Sequence, residues 1–240
     1  MSIVDIATLM IGRGGSSLAD KNILPVLGVP LLLWSAAAAR RSRHIRRFYV
    51  SSDDDKILEM AGRAGYKPIR RPDELASATA QSCDAVRHAY KIMTEDGGPP
   101  DIVVVQHANV GTITEIMIDE CIDILLSESG TSSVVPSHDK AEYHPMRAKF
   151  LNKDGLLDQA IPGMASANRQ DLPKCLFFDH SFWVLRSTAI FDPNGQPPWN
   201  CMGNAIRPYE TEGCLDVHSL EDLELTARWL IENEVPPPTY

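Results

Sequence analysis

Short apolar runs alternate with helical patterns along the first part of the chain. The apolar runs at 3–11, 48–50, 102–105 and 133–135 predict buried strands. Helices are predicted at 31–39, 56–64, 82–93 and 115–126, the last from apolar residues at helical spacing. This alternation predicts an α/β domain with a mostly parallel, twisted sheet and helices on both faces. Ligands of such sheets bind at the carboxyl ends of the strands.

The pattern changes in the second half of the chain. Strands are predicted at 146–151 and 177–185, with a polar, irregular stretch at 162–173 between them. We interpret 136–185 as an inserted arm or lid of extended segments within a single domain, 1–240. Such an insertion is a usual place for a dimer contact. Ser219 and Asp222 form a capping-box pair that predicts the start of the last helix.

Composition and charge exclude several classes of protein. The chain has 240 residues, of which 44% are hydrophobic, and a net charge of -9. The negative charge argues against nonspecific binding to nucleic acid or membranes, and no apolar stretch is long enough to cross a bilayer. Five cysteines without a CxxC pair, and no signal-peptide pattern, predict reduced thiols and a cytoplasmic location. Five arginines crowd 40–47, which we interpret as a solvated helix end.

A glycine-rich loop follows the first predicted strand. It reads Gly12-Arg13-Gly14-Gly15-Ser16-Ser17, and Lys21-Asn22 follow shortly after. Glycines let backbone N–H groups turn inward and form an anion-binding nest, and Arg13 and Lys21 add positive charge. The loop lacks the GK[ST] ending of a Walker loop. The combination predicts a triphosphate site.

Further motifs recur in a fixed order along nearly the whole chain. They are the glycine loop with Lys21-Asn22, Val50-Ser51-Ser52-Asp53-Asp54, Arg70-Arg71-Pro72-Asp73-Glu74-Leu75-Ala76, Thr79-Ala80-Gln81-Ser82, the strand ending in Gln106, His144-Pro145, Arg169-Gln170-Asp171-Leu172-Pro173 and Leu215-Asp216-Val217. In this order and spacing the chain resembles the acylneuraminate (CMP-sialate) cytidylyltransferases. Related enzymes that act on phosphonates form a possible branch of this resemblance.

The resemblance implies a Rossmann-like nucleotidyltransferase that transfers CMP from CTP to a small acidic acceptor and releases pyrophosphate. It implies catalytic roles for Arg13 and Lys21, with Mg²⁺ as cofactor and Asp216 as its ligand. The implied nucleotide-binding residues are Gly14, Gly15, Ser16, Ser17, Asn22, Arg71, Ala80 and Ser82. The implied acceptor-binding residues are Gln106, Asn109, Arg169 and His218. The family also forms homodimers through its inserted segment.

The departures from the family pattern lie on the acceptor and phosphate side. Ser17 replaces a loop lysine, and His218 replaces the second carboxylate of the magnesium site. Neutral imidazole suits zinc and later transition metals better than Mg²⁺. We therefore expect His218 to donate a hydrogen bond to the acceptor, aided by His107, Asn109 or His180.

Three functions stay open at this point. The acceptor of CMP is a nonulosonic (sialic-type) sugar acid or, alternatively, a small phosphonate of the phosphonoformate type. A phosphonate oxygen is already ionised and needs less activation than a sugar hydroxyl. The third possibility is a degenerate, non-catalytic protein that only binds CTP.

Overall fold

The computed structural model describes residues 4–15, 18–140, 144–163 and 168–239, apart from the side chain of Arg169. The strands are β1 (Ile6–Ile11), β2 (Pro25–Val26), β3 (Val29–Pro30), β4 (Arg47–Ser52), β5 (Lys67–Arg70), β6 (Ile102–His107), β7 (Ser133–His138), β8 (Lys149–Leu151), β9 (Leu157–Gln159), β10 (Phe177–Phe178), β11 (Phe182–Arg186) and β12 (Ile206–Glu210). The helices are α1 (Leu31–Arg41), α2 (Asp55–Arg63), α3 (Ser82–Gly97), α4 (Glu115–Ser127), α5 (Ser187–Ile190) and α6 (Leu220–Glu232).

Eight strands form the central sheet, in the order β10-β7-β11-β6-β1-β4-β5, with β12 also paired to β7. Strands β6, β1, β4 and β5 are parallel to one another, so their carboxyl ends meet at one edge of the sheet. Strand β11 runs antiparallel to both β6 and β7. The predicted α/β fold is confirmed, with a parallel half that carries the glycine loop.

The core lies on both faces of this sheet because side chains alternate along each strand. On one face, Leu9 and Val105 pack with Val86 and Met93 of α3. On the other face, Met10 and the residues around it pack with helices α1 and α2, and Val104 packs with α4. Helix α6 packs against the start of α1 through Leu230.

Two predicted helix starts are confirmed by their caps. The Asp54 side chain accepts a hydrogen bond from the Lys56 N–H and begins α2. Ser219 and Asp222 form a reciprocal capping box at the start of α6. In both cases a local sequence pattern supplies an acceptor to an N–H group that has no partner within the helix.

The segment outside the sheet is shorter than the predicted arm at 136–185. Strand β11 lies inside the central sheet, and Phe182 and Trp183 are fully buried. The predicted strand at 177–185 is interrupted between β10 and β11, where Asp179, His180 and Ser181 lie. Within the described part of this region, the hairpin of β8 and β9 forms a separate two-stranded sheet, and both of its strands are exposed throughout.

The expectation that all five thiols are reduced is wrong in this structure. Cys83 and Cys201, 118 residues apart, form a disulfide bond. Cys121, Cys175 and Cys214 are free. The disulfide removes the argument that led from reduced thiols to a cytoplasmic location. Among the described residues, no helix combines the length and apolar character needed to span a membrane.

Candidate active site

The carboxyl ends of β1, β4 and β6 lie close together. The Gly12 N–H donates a hydrogen bond to the Ser51 carbonyl at 3.2 Å, which joins the loop after β1 to β4. A Cβ added at Gly12 would lie 2.8 Å from the Ala108 Cβ, closer than real side chains approach. Glycine is therefore required where the first strand turns into the glycine-rich loop.

A cavity of about 460 Å³ opens at this edge of the sheet. Its lining residues are Ile11, Gly12, Arg13, Gly15, Lys21, Asn22, Arg71, Leu75, Ser77, Ala78, Ala80, Gln81, Ser82, Ala85, His107, Asn109 and His218. The cavity thus brings the glycine loop, the segment before α3 and the end of β6 into one site. Ser16 and Ser17, and the side chain of Arg169, lie outside the described residues.

Two buried cations face this cavity. Arg71 is 6% exposed and Lys21 is 9% exposed. The Arg71 guanidinium donates to the Ser51 carbonyl at 2.6 Å and to the Ser51 hydroxyl at 3.1 Å. The Lys21 ammonium donates to the Val217 carbonyl at 2.9 Å. Both side chains bond to neutral acceptors, and within the described residues neither forms an ion pair.

Burial shifts the pKa of both cations. It lowers the pKa of Arg71 to about 10, so this guanidinium stays charged at neutral pH. Burial also lowers the pKa of Lys21, while the nearby Asp216 carboxylate acts in the opposite direction. A buried cation without an anionic partner is costly unless a ligand supplies the negative charge. This arrangement suits a polyanionic ligand.

Arg13 and Asn22 hold the glycine loop in place. The exposed Arg13 side chain reaches across the cavity mouth and donates to the Ser77 carbonyl at 2.8 Å. The Asn22 amide donates to the Arg13 carbonyl at 3.2 Å. The Gly14 N–H donates to the Asp53 carboxylate at 3.0 Å. This N–H group of the loop is therefore already hydrogen-bonded to an anionic oxygen.

Asp216 lies beside the cavity in a small polar cluster. Its carboxylate accepts hydrogen bonds from the Asn109 amide and lies 3.0 Å from the His218 Nε2. A β-bridge between Val110 and Asp216 holds the segment around Asp216 against the chain that follows β6. Val217, fully buried next to Leu230, fixes the two polar residues on either side of it.

The hard oxygens of Asp216 fit Mg²⁺, which is usually bound by one or two carboxylates together with substrate phosphates and water. The described residues contain no group of three or more His, Cys, Asp or Glu side chains arranged to hold a metal. A metal ion at Asp216 would therefore need further oxygen ligands, which nucleotide phosphates and water can supply. His218 contacts this carboxylate directly.

Two further histidines lie at this site, of which His107 lines the cavity and His180 packs against it. The rings of His107 and His180 stack with centroids 6.2 Å apart, and His107 meets the edge of Trp183 at 4.9 Å. Burial lowers the pKa of His107 to about 3 and also lowers that of His180. Both imidazoles are therefore neutral at pH 7. His107 therefore presents an uncharged imidazole to the cavity, and the aromatic rings of His180 and Trp183 pack against it.

Gln106 does not line the cavity, contrary to the expected acceptor-binding role. It is fully buried, and its carbonyl oxygen accepts bonds from the Thr8 and Tyr66 hydroxyls at 2.9 Å each. Its amide donates to the Ser35 carbonyl and hydroxyl. Side chains alternate along β6, so Gln106 points into the core beside α1 while His107 points toward the site.

Nine of the predicted site residues line the cavity itself. They are Arg13, Gly15, Lys21, Asn22, Arg71, Ala80, Ser82, Asn109 and His218. Gly14 lines a smaller neighbouring hollow, and Asp216 is joined to the cavity through Asn109 and His218. Ser77 and Gln81 also line the cavity but were not predicted as site residues, although they belong to the same segment as Ala80 and Ser82.

Comparison with known proteins identifies the family of this chain. A family model described as cytidylyltransferase matches residues 7–147, more than half of the chain and most of the cavity lining. The chain belongs to the cytidylyltransferase family. It is thus a nucleotidyltransferase, and the predicted kinship with the acylneuraminate cytidylyltransferases is confirmed by its relatives.

Two such relatives cover most of this cytidylyltransferase. The pseudaminic acid cytidylyltransferase of Campylobacter jejuni strain 81-176 is 27% identical over 190 residues, covering 76% of this chain and 81% of that protein. The N-acylneuraminate cytidylyltransferase of Oncorhynchus mykiss is 29% identical over 191 residues, covering 77% of this chain and 42% of that protein.

Solved structures share the fold. A CMP:2-keto-3-deoxy-manno-octonic acid synthetase complexed with CTP superposes with a TM-score of 0.70 at 16% identity, covering 96% of this chain and 100% of that one. The 4-diphosphocytidyl-2C-methyl-D-erythritol synthase of Anaerococcus prevotii superposes with a TM-score of 0.66 at 10% identity, with the same coverage. At these identities the likeness establishes the nucleotidyltransferase fold.

Proposed function

We propose that this cytidylyltransferase transfers CMP from CTP to a sugar acid of the nonulosonic class and releases pyrophosphate. The observation that carries the proposal is the pair of buried cations, Lys21 and Arg71, that line one cavity. Lys21 lies beside the glycine loop and suits the triphosphate. Arg71 lies near Ala80 and Ser82, where its N–H groups can donate to the O2 and N3 acceptors of cytosine.

The reaction is an in-line displacement in which the protein supplies no nucleophile. A hydroxyl oxygen of the acceptor attacks the α-phosphorus, forms a new P–O bond and loses its proton to solvent. The bond from the α-phosphorus to the oxygen that bridges the α- and β-phosphates breaks, and pyrophosphate leaves with that oxygen. Lys21, Arg13 and the loop amides stabilise the charge that develops on the phosphates. Mg²⁺ bound at Asp216 would neutralise further phosphate charge.

The acceptor side favours a sugar acid over a small phosphonate. A compact polyanion needs cations around it, yet His107 and His180 are neutral because they are buried. An uncharged aromatic wall beside the Asn109 amide suits the hydroxyl and acyl groups of a sugar acid better. The names of the relatives, which include pseudaminic acid and N-acylneuraminate, support the same class.

The test supplies CTP and Mg²⁺ with a panel of acceptors and measures pyrophosphate release and the mass of the CMP adduct. The panel contains pseudaminic acid, N-acetylneuraminic acid and phosphonoformate. We expect adduct with at least one sugar acid and none with phosphonoformate. An adduct only with phosphonoformate would overturn the acceptor class. No pyrophosphate with any acceptor, from a protein that still binds CTP, would favour a non-catalytic CTP-binding protein.

We also propose that the enzyme works as a homodimer through the hairpin of β8 and β9. This hairpin exposes four large apolar side chains next to one another along the chain: Phe150, Leu151, Leu156 and Leu157, each at least 65% exposed. Large apolar groups gathered on one exposed hairpin are typical of a surface covered by another chain. A second copy of this chain is the partner that the family resemblance implies.

A further inference from the structure

The run of arginines at 40–47 forms a surface at the opposite end of the sheet from the active site. The catalytic cavity follows the last residues of β4, whereas this surface contains Arg47 and Phe48 at the start of the same strand. Helices α1 and α2 both end here, with Arg40 and Arg41 in the last turn of α1 and Arg63 in the last turn of α2.

Two adjoining hollows open on this surface. One, of about 450 Å³, is lined by Ala37, Arg40, Arg41, Arg63, Ala64, Gly65 and Thr239. The other, of about 320 Å³, is lined by Arg40, Arg46, Arg47, Phe48, Tyr49, Gly65, Lys67 and Asp96. They share Arg40 and Gly65, so Arg40 forms the wall between them.

The basic side chains around the hollows differ in how fully they are neutralised. Arg47 is bonded to Asp5 and to backbone carbonyls. Lys67 is paired with Asp96, Arg63 with Glu59 and Arg41 with Glu115. The Arg46 side chain bonds only to the carbonyl of its neighbour Ile45 within the described part of the chain. The Arg40 side chain forms neither a hydrogen bond nor an ion pair with any described residue. The cation at the centre of the surface is therefore the least neutralised.

Arg40 is nonetheless held in a defined position. Its guanidinium stacks over the Phe48 ring at 4.4 Å from the ring centroid. Gly65 lies beside it with φ +80, a conformation that disfavours any side chain, and a Cβ there would lie 3.8 Å from an Arg40 nitrogen. The edge of the guanidinium thus stays open toward both hollows. Its planar fork of N–H donors matches the oxygens of a phosphate group.

The geometry points to a second anion site in these hollows, which takes a small phosphate-bearing molecule held between Arg40, Arg46 and Arg63. The attraction of helix carboxyl ends for cations explains why arginines stand here. That attraction does not supply hydrogen-bond acceptors for the N–H groups of the Arg40 guanidinium. Hollows of this size suit a small molecule rather than a nucleic acid, which the net charge of -9 also disfavours.

The test titrates inorganic pyrophosphate into the full-length protein by calorimetry, without divalent metal. We expect two classes of site per chain. Arg40→Gln should weaken one class about tenfold or more, because charge-assisted hydrogen bonds are lost, and Lys21→Met should weaken the other. Arg43→Gln is the matched control, because Arg43 belongs to the same run but pairs with Asp123 and lines neither hollow.

Two further measurements keep the test decisive. If Arg40→Gln lowers the melting temperature so far that the protein unfolds, Arg63→Gln removes a guanidinium from the larger hollow instead. Citrate serves as a non-phosphate polyanion and should bind the second class more weakly than pyrophosphate. A single class of site in the wild type, unchanged binding in both arginine variants, or citrate binding as tight as pyrophosphate would overturn the inference.

Discussion

Lys21→Met separates the catalytic role of Lys21 from its structural one. Methionine keeps most of the buried stem but removes the ammonium and its bond to the Val217 carbonyl. Loss of that charge-assisted bond should destabilise the fold by about 1.5–3 kcal/mol. Removing a cation that burial disfavours offsets part of this cost, since burial is the largest influence on the Lys21 pKa. We therefore expect the variant to stay folded.

Catalysis should suffer far more than stability. Removing one preorganised donor from a site of developing charge typically costs about 100- to 1,000-fold in turnover. Because the pKa of Lys21 is lowered in the folded protein, Lys21 loses its proton at a lower pH than an ordinary lysine as pH rises. The wild type should therefore lose activity on the alkaline side, and Lys21→Met should lack this limb of the profile.

The assay is steady-state pyrophosphate release as a function of CTP and pH, with the melting temperature measured in parallel. Lys56→Met is the matched control, because Lys56 lies near the same loop, pairs with Asp20 on the surface and lines neither the catalytic cavity nor its neighbour. Its kcat/KM should change little. A folded Lys21→Met protein with kcat/KM close to the wild-type value would refute the role of Lys21.

Four other predictions concern separate parts of the molecule. Arg71→Ala should reduce the preference for CTP over UTP by about 1.5–3 kcal/mol, measured as the ratio of kcat/KM values, and an unchanged ratio would count against base recognition. Gln106→Ala should lower the free energy of unfolding by about 1–3 kcal/mol in urea titration and leave the acceptor KM unchanged. Asp216→Asn should raise the Mg²⁺ concentration needed for half-maximal rate; an unaltered titration would exclude Asp216 as the ligand. Leu151→Lys with Leu157→Lys should yield monomers by light scattering at micromolar concentration, whereas a persistent dimer would place the interface elsewhere.

The sequence alone determined the features that depend on local patterns. Short continuous apolar runs indicated the strands of the parallel half, because these strands are buried on both faces of the sheet. Apolar residues at helical spacing indicated helices that bury one face. The capping box at Ser219 was visible because a cap and its N–H partner lie within three residues. The glycine loop with Arg13 and Lys21 likewise indicated an anion site at a strand end.

The tertiary structure decided the features that depend on contacts between distant segments. Gln106 and His107 are adjacent in sequence, yet only the pairing of β6 with its neighbours determined which one enters the core and which one faces the site. The bond between Cys83 and Cys201 joins residues 118 positions apart, and no spacing rule indicates it. The neutral state of His107 results from burial among residues of other strands, and burial is a property of packing.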